Sequence, residues 1–314
     1  MSSSFAQARP FSSPTGATLA LRHQPAEGGP KAVVQINHGL AEHAARYQRF
    51  ALALAQAGFA VYAHDHRGHG GTEAPDAPRG SFSADRDGAD TVLADVAAVH
   101  DHIHRQHPNL PVFIFGHSMG GLIAMNFALR HAGDLAGAAV WNANFSGGLA
   151  GRAAQAILKW ERFRLGGDVP SLALPALTFG QWAKAVPDRR TNFDWLSDID
   201  AEVDAYIADP DCGWDASVGM WQAVFALIFA GARVDEAPNA ARALPFFLAG
   251  GDSDPATDGG KAVREQAARL ERAGYEDVTL HVFENTRHET LNSTVAEAAT
   301  GRLIAWLEAR LERA

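Results

Sequence analysis

The chain has 314 residues, enough for two ordinary domains or one large α/β domain with an insertion, and enough to bury a core without a disulfide or metal staple. Hydrophobic residues at 47% and charged residues at 20% exclude a disordered chain, and 27 Lys and Arg against 36 Asp and Glu leave a net charge of −9, which argues against a broad nucleic-acid or anionic-membrane footprint. The single cysteine, Cys212, excludes an intrachain disulfide and a Cys-rich zinc site and fits a reducing, cytoplasmic compartment.

Met1–Pro14 is rich in Ser, Ala and Pro and lacks a basic segment followed by an apolar core, so it reads as a loose leader rather than a secretory signal. Ala17–Arg22 and Lys31–Asn37 are strand-like. Ala44–Ala57 has helical periodicity and stops at Gly58. Phe59–His64 is a short apolar run that fits a buried strand. Asp85–His107 predicts a long helix, with Val92, Val96, Val99 and Ile103 at three- and four-residue spacing, ended by Pro108. Val112–Phe115 predicts a central strand, Gly121–His131 a helix and Ala136–Asn142 another strand. Alternating strands and helices imply a mostly parallel sheet with helices on both faces.

That rhythm breaks between Phe145 and Pro238. The stretch holds Trp160, Trp182, Trp195, Trp214 and Trp221, several prolines and no clear strand. It reads as a helical cap inserted into an α/β core made of residues 1–144 and 239–314. Its most apolar run, Ala223–Ala232, is well short of the ~18–20 residues of a membrane span. The wider segment Met220–Ala232 carries apolar side chains on nearly all helical faces. One side would pack on the core, and another would line a cavity or make transient contact with a lipid surface. The α/β rhythm then resumes: strand Leu244–Ala249, helix Gly259–Ala273, strand Val278–Phe283 and helix Val295–Arg313.

The strongest chemical signal is Gly116-His117-Ser118-Met119-Gly120-Gly121, between a strand and a helix. Gly-x-Ser-x-Gly in that context is a nucleophile elbow: the tight turn admits no side chains at Gly116 and Gly120 and presents Ser118 above the sheet edge. Serine needs a base, itself oriented by an acid, in the chain order Ser, Asp or Glu, His. Only His281 and His288 follow residue 131. His281 falls inside a strand, whereas His288 sits in the loop just after it, where open α/β sheets bind ligands; His288 is the candidate base. The acid should follow strand Leu244–Ala249, where Asp252, Asp254 and Asp258 compete. Asp254 precedes Pro255, which stiffens the loop, and is the preferred candidate. Asp252 is the alternative, and Asp258 suits the cap of the next helix. The oxyanion needs two backbone donors, the N–H of Met119 and that of Leu40 in the loop after Lys31–Asn37. His38 in the same loop reads as a structural hydrogen bonder.

Three motifs together, His38-Gly39-Leu40-Ala41-Glu42-His43 with Arg46-Tyr47, Asp65-His66-Arg67-Gly68-His69-Gly70 and the elbow, carry a resemblance. The chain resembles an α/β-hydrolase of the monoacylglycerol lipase and lysophospholipase group, often filed beside serine aminopeptidases. The resemblance spans about residues 15–312 and places Asp254 and His288 where that group carries its acid and base. It departs from the group at Gly71-Thr72, where a serine is usual two residues after the second motif. It implies the α/β-hydrolase fold, single-chain fatty esters such as monoacylglycerols or lysophospholipids as substrates, no metal or organic cofactor, and Asp65 and Arg67 as braces under the site.

His64, His66 and His69 cluster, and His100, His104 and His107 share a helical face, but no H-E-x-x-H is present. The first cluster belongs to the loop motif, and the second reads as a solvated face. The alternatives are a short-chain carboxylesterase on the same triad, a non-catalytic ligand-binding relative of the fold, and a metal-dependent phosphoesterase.

Overall fold

The computed structural model describes residues 5–83 and 87–312. The expected helix start at Asp85 and the end at Arg313 lie outside the described residues. Eight strands form one sheet: β1 (Arg9–Ser12), β2 (Thr18–Gln24), β3 (Ala32–Asn37), β4 (Phe59–His64), β5 (Val112–His117), β6 (Gly137–Trp141), β7 (Phe246–Gly251) and β8 (Val278–Phe283). Their order is β1-β2-β4-β3-β5-β6-β7-β8. The β1–β2 and β2–β4 pairs are antiparallel, and all the others are parallel. This is the α/β-hydrolase fold expected from the alternating pattern.

Strands β3 to β7 are buried throughout, because helices cover both faces. On one face α2 (Gly88–Gln106), α3 (Met119–Arg130) and α9 (Lys261–Arg272) pack on side chains such as Ile114 and Val140. On the other, α1 (Gln48–Gln56) and α10 (Ala296–Leu311) pack on Phe113, Phe115, Trp141 and Phe247. Ile114 faces opposite to its two neighbours, as the two-residue period of a strand demands. The expected helix Ala44–Ala57 begins as one 3₁₀ turn, Ala44–Tyr47, before α1, and Gly58 ends it with φ +83°.

One expectation fails at the N-terminus. Residues 5–14 are not a loose leader. Phe5 is fully buried against the α1/α10 face, and Arg9–Ser12 adds edge strand β1, pairing Pro10 with Ala20. An edge strand tolerates proline because its outer N–H row needs no partner.

Between β6 and β7 run α4 (Gly148–Leu165), α5 (Leu174–Leu177), α6 (Phe179–Ala185), α7 (Asp200–Ala208) and α8 (Val218–Gly231). Helix α8 starts where Ser217 Oγ accepts the Met220 N–H at 3.1 Å, and it packs against α2, α3 and α4. It is therefore enclosed on several sides, as its all-round apolar sequence requires.

The register aligns the carboxyl ends of the parallel strands: Asn37 lies opposite Gly116, His117 opposite Trp141, Trp141 opposite Ala249 and Gly251 opposite Phe283. The loops after β3, β5, β7 and β8 emerge at this one edge, where open α/β sheets hold their ligands.

Candidate active site

Ser118 stands between β5 and α3 with φ 55° and ψ −120°, a strained conformation for a residue with a Cβ, worth about 1–3 kcal/mol. The elbow is held by the Ser118 N–H donating to the Trp141 carbonyl at 2.9 Å. A Cβ on Gly116 would collide with the Gly120 backbone, and one on Gly120 with the Asn37 carbonyl, so both positions require glycine.

The Ser118 hydroxyl donates to His288 Nε2 at 2.8 Å, and His288 Nδ1–H faces both Asp254 oxygens at 3.0 Å. The structure thus brings Ser118, His288 and Asp254 into one hydrogen-bonded chain. Asp254 is fully buried and also accepts from Asn142 Nδ2 at 3.1 Å, Thr257 Oγ1 at 2.9 Å and the Ala256 N–H at 2.9 Å. Burial alone would raise its pKa; the His288 imidazole and these donors outweigh burial and hold the carboxyl below its usual range.

The two competing aspartates lie elsewhere. Asp252 is exposed and accepts from Ser253 Oγ at 2.9 Å. Asp258 is exposed and sits 3.4 Å from Lys261 Nζ; it does not cap α9, which begins after Gly260 without a side-chain cap. His281 lies mid-strand in β8, opposite Ala249.

Leu40 and Met119 both border the same cavity as Ser118 and His288. Met119 is the first residue of α3, so its N–H has no intrahelical acceptor. The cavity encloses about 430 Å³, within the usual range for ligand sites. Its walls are largely aromatic and aliphatic, with Phe179, Trp182, Trp195, Trp221, Phe225 and Ile228 among them.

His38 is a buried bridge. Its Nδ1–H donates to the Gly39 carbonyl at 2.8 Å and its Nε2 accepts the His66 N–H at 2.9 Å; burial pushes its pKa down to about 3. Arg67 is a buried brace: Nε donates to Asp95 at 2.7 Å and Nη1 to the Phe82 carbonyl at 2.8 Å. Asp65 accepts the N–H groups of Ala44 and Gly71, each at 2.9 Å. The histidine face of α2 is not uniformly solvated, because His100 is buried and bonds Gln35 Oε1 at 3.0 Å.

Residues 28–294 match the family described as serine aminopeptidase, S33. The monoglyceride lipase of Homo sapiens is 31% identical over 277 residues, covering 87% of this chain and 80% of that protein. The monoacylglycerol lipase of Mycolicibacterium smegmatis is 29% identical over 287 residues, covering 90% of each. This chain belongs to the serine aminopeptidase S33 family. The solved carboxyl esterase of Bacillus coagulans, in complex with glycerol, superposes with TM-score 0.85 at 24% identity, covering 97% of this chain and 98% of that one, so the fold agrees along nearly the whole chain.

As a member of the S33 family, the protein is a serine ester hydrolase. No described helix is long and apolar enough to cross a membrane.

Beneath the site of this S33 hydrolase lies an ionic cluster that the sequence reading did not single out. Glu42 Oε1 accepts the Gly39 N–H at 2.6 Å and the Tyr47 hydroxyl at 2.8 Å. Arg46 spans two carboxylates, reaching Glu42 at 2.7 Å and Glu289 bidentately at 2.6 and 2.7 Å. His117 Nε2–H donates to the His288 carbonyl at 2.9 Å, and its Nδ1 lies 3.6 Å from Glu42 Oε1. Burial would lower the His117 pKa, but Glu42 more than offsets it and raises the ring above its ordinary value. Burial opposes the Glu42 charge too, and His117 and Arg46 pull that carboxyl well down. The cluster ties the Gly39–Leu40 loop to the His288 loop. Its visible signals were the i, i+4 spacing of Glu42 and Arg46 and the adjacency of Glu289 to His288.

Proposed function

We propose that the protein hydrolyses monoacyl fatty esters, monoacylglycerols first among them and lysophospholipids second, through a Ser118–His288–Asp254 triad. The observation that carries this reading is the hydrogen-bonded chain from Ser118 Oγ to Asp254 at the foot of a largely apolar cavity. Ser118 Oγ attacks the ester carbonyl and gives its proton to His288 Nε2. The N–H groups of Leu40 and Met119 receive the oxyanion, with the start of α3 adding a favourable dipole. His288 returns the proton to the leaving alcohol, and a water repeats the sequence to release the fatty acid. Asp254 holds the imidazole tautomer and stabilises the imidazolium.

Residues 145–238 act as a cap over the core in this reading. Helix α8 supplies Trp221, Val224, Phe225 and Ile228 to the cavity wall and so lines the acyl site. Contact with a lipid surface falls instead to α4, where Leu149, Trp160 and Phe163 are exposed. The single free thiol suits a cytoplasmic enzyme that visits membranes through this helix.

A fluorophosphonate probe with a monoacylglycerol assay tests the proposal. Wild-type protein should be labelled once, at Ser118, and Ser118→Ala should lose both labelling and monoacylglycerol hydrolysis while retaining its thermal transition. Labelling of a different serine, or hydrolysis surviving in Ser118→Ala, overturns it.

A further inference from the structure

A second group of reactive side chains lies beside the site and takes no part in the proposed reaction. His43, in the segment that follows the Leu40 loop, meets Asp209 and Cys212 in the turn after α7. His43 Nε2 lies 2.9 Å from Asp209 Oδ2, and the donor atoms of all three residues lie within 4.8 Å of one another. Among the described residues this is the one such group of three. We propose that His43 Nε2, the Asp209 carboxylate and the Cys212 sulfur form a binding site for a zinc-type divalent cation.

The donor set selects the ion. Imidazole, carboxylate and thiolate together suit Zn²⁺ and its neighbours, while the sulfur disfavours Mg²⁺ and Ca²⁺. Zinc bonds of about 2.0–2.3 Å in a tetrahedron put donor atoms roughly 3.3–3.8 Å apart, so the widest pair must close by up to about 1.0–1.5 Å, while His43 Nε2 and Asp209 Oδ2, 2.9 Å apart, must open by roughly 0.4 Å. The His43 and Asp209 side chains are 12% and 30% exposed, which leaves an entry path from solvent.

The supporting shell is in place. Asp209 Oδ1 accepts the Asp211 N–H at 2.9 Å, which orients the carboxylate, and the Cys212 N–H donates to the Asp209 carbonyl at 3.1 Å. The charges acting on the thiol are one cation, Arg46, and three carboxylates, Glu42, Asp209 and Glu289. Arg46 is already engaged by Glu42 and Glu289, so the surroundings favour an added cation.

Protons balance in a single exchange. Cys212 ligates the ion as a thiolate, so its S–H proton is given up on binding. The ion displaces that proton to solvent. The imidazole proton now on Nε2 is carried on Nδ1 instead, freeing the Nε2 lone pair. One proton leaves for each ion bound.

The ligands come from two parts of the chain. The Ala41 carbonyl already accepts the Gly213 N–H and the Tyr206 hydroxyl, each at 2.9 Å. An ion joining His43 to Asp209 and Cys212 would clamp the loop bearing Leu40 to the turn after α7, and should raise the thermal midpoint.

Because Cys212 is the single thiol, its alkylation reads the site directly by whole-protein mass. Zinc should slow iodoacetamide modification of the wild-type protein at least tenfold, and a chelator should restore it. Cobalt(II) should give a thiolate-to-metal absorption band that Cys212→Ser abolishes. His43→Gln and Asp209→Asn, each checked for a cooperative thermal transition, should need at least tenfold more zinc for the same protection. Unslowed alkylation of the wild-type thiol, or equal protection in both ligand variants, overturns the proposal.

Discussion

Two neighbouring aspartates show how much local geometry decides at the scale of a residue. Asp252 and Asp254 share a loop, yet only Asp254 is buried and faces His288. Asp254→Asn should therefore cut kcat by orders of magnitude, on the scale of the roughly 10⁴-fold loss known for a triad acid, while Asp252→Asn should leave steady-state hydrolysis within about twofold. Reversed effects would assign the acid to Asp252. The histidines of the loops beneath the site make a separate prediction about stability. Burial depresses His38 and His69 to about 3 and His64 to about 4. Their folded-state values lie below the unfolded value of about 6.5, so the unfolded chain binds more protons as pH falls through that window. Their neutral-state stability is complete above pH 6.5 and is lost progressively as pH falls to about 4 for His64 and about 3 for His38 and His69. Each ring contributes a slope of about 1.4 kcal/mol per pH unit. Urea midpoints measured at pH 7 and pH 5 should differ markedly, with the lower value at pH 5. Equal midpoints would mean that these rings are charged in the folded protein.

Helices and strands were legible where their pattern had one explanation. Phe59–His64 and Val278–Phe283 have the bounds expected of them, because apolar runs fenced by turn residues leave no other choice. Edge strand β1 was not legible, since Arg-Pro-Phe-Ser shows no alternation and owes its pairing to β2. The elbow and the His288 loop could be read from local motifs. The Glu42–Arg46–Glu289 cluster joins residues 243 positions apart and needs the folded sheet to appear. Helix α8 was read correctly as buried on several sides, but the exposed apolar face belongs to α4, whose mixed composition hid it. Leu149, Trp160 and Phe163 are 83%, 57% and 88% exposed. Spacings of eleven and three residues bring them to one side of the helix. Arg164 lies over the Trp160 ring at 4.8 Å, and Arg152 and Lys159 add positive charge to the same helix, a pattern suited to a membrane interface. Replacing Trp160 and Phe163 together by serine should weaken binding to phospholipid vesicles at least tenfold and leave hydrolysis of a soluble short ester unchanged. Undiminished vesicle binding in a sedimentation assay would remove α4 from the contact.

For the molecule as a whole, a rigid polar relay and an apolar chamber come from different parts of one chain. The sheet edge sets Ser118, Asp254 and His288, whereas the aromatic wall comes largely from residues between β6 and β7. Chemistry and substrate choice are therefore separable. Under the proposed function the relay would treat all esters alike, and the chamber would discriminate by how much acyl surface it removes from water. Each buried methylene is worth about 0.8 kcal/mol in transfer, close to a fourfold effect on kcat/KM when fully realised in the transition state. A cavity of about 430 Å³ would also have to take the glycerol end of the proposed substrate, so the gain should stop once the remaining space is filled. Across a series of monoacyl esters from acetyl upward, kcat/KM should rise several-fold per pair of methylenes, reach a plateau at medium to long chains and then level or fall. Substituting Ile228, an α8 side chain on the cavity wall, with Phe should bring that plateau to shorter chains and leave acetyl ester hydrolysis nearly unchanged, because the relay is untouched. A wild-type profile that peaks at acetyl and declines steadily would mean that the acyl chain does not enter this chamber. The enzyme would then be a short-chain carboxylesterase working on the same relay.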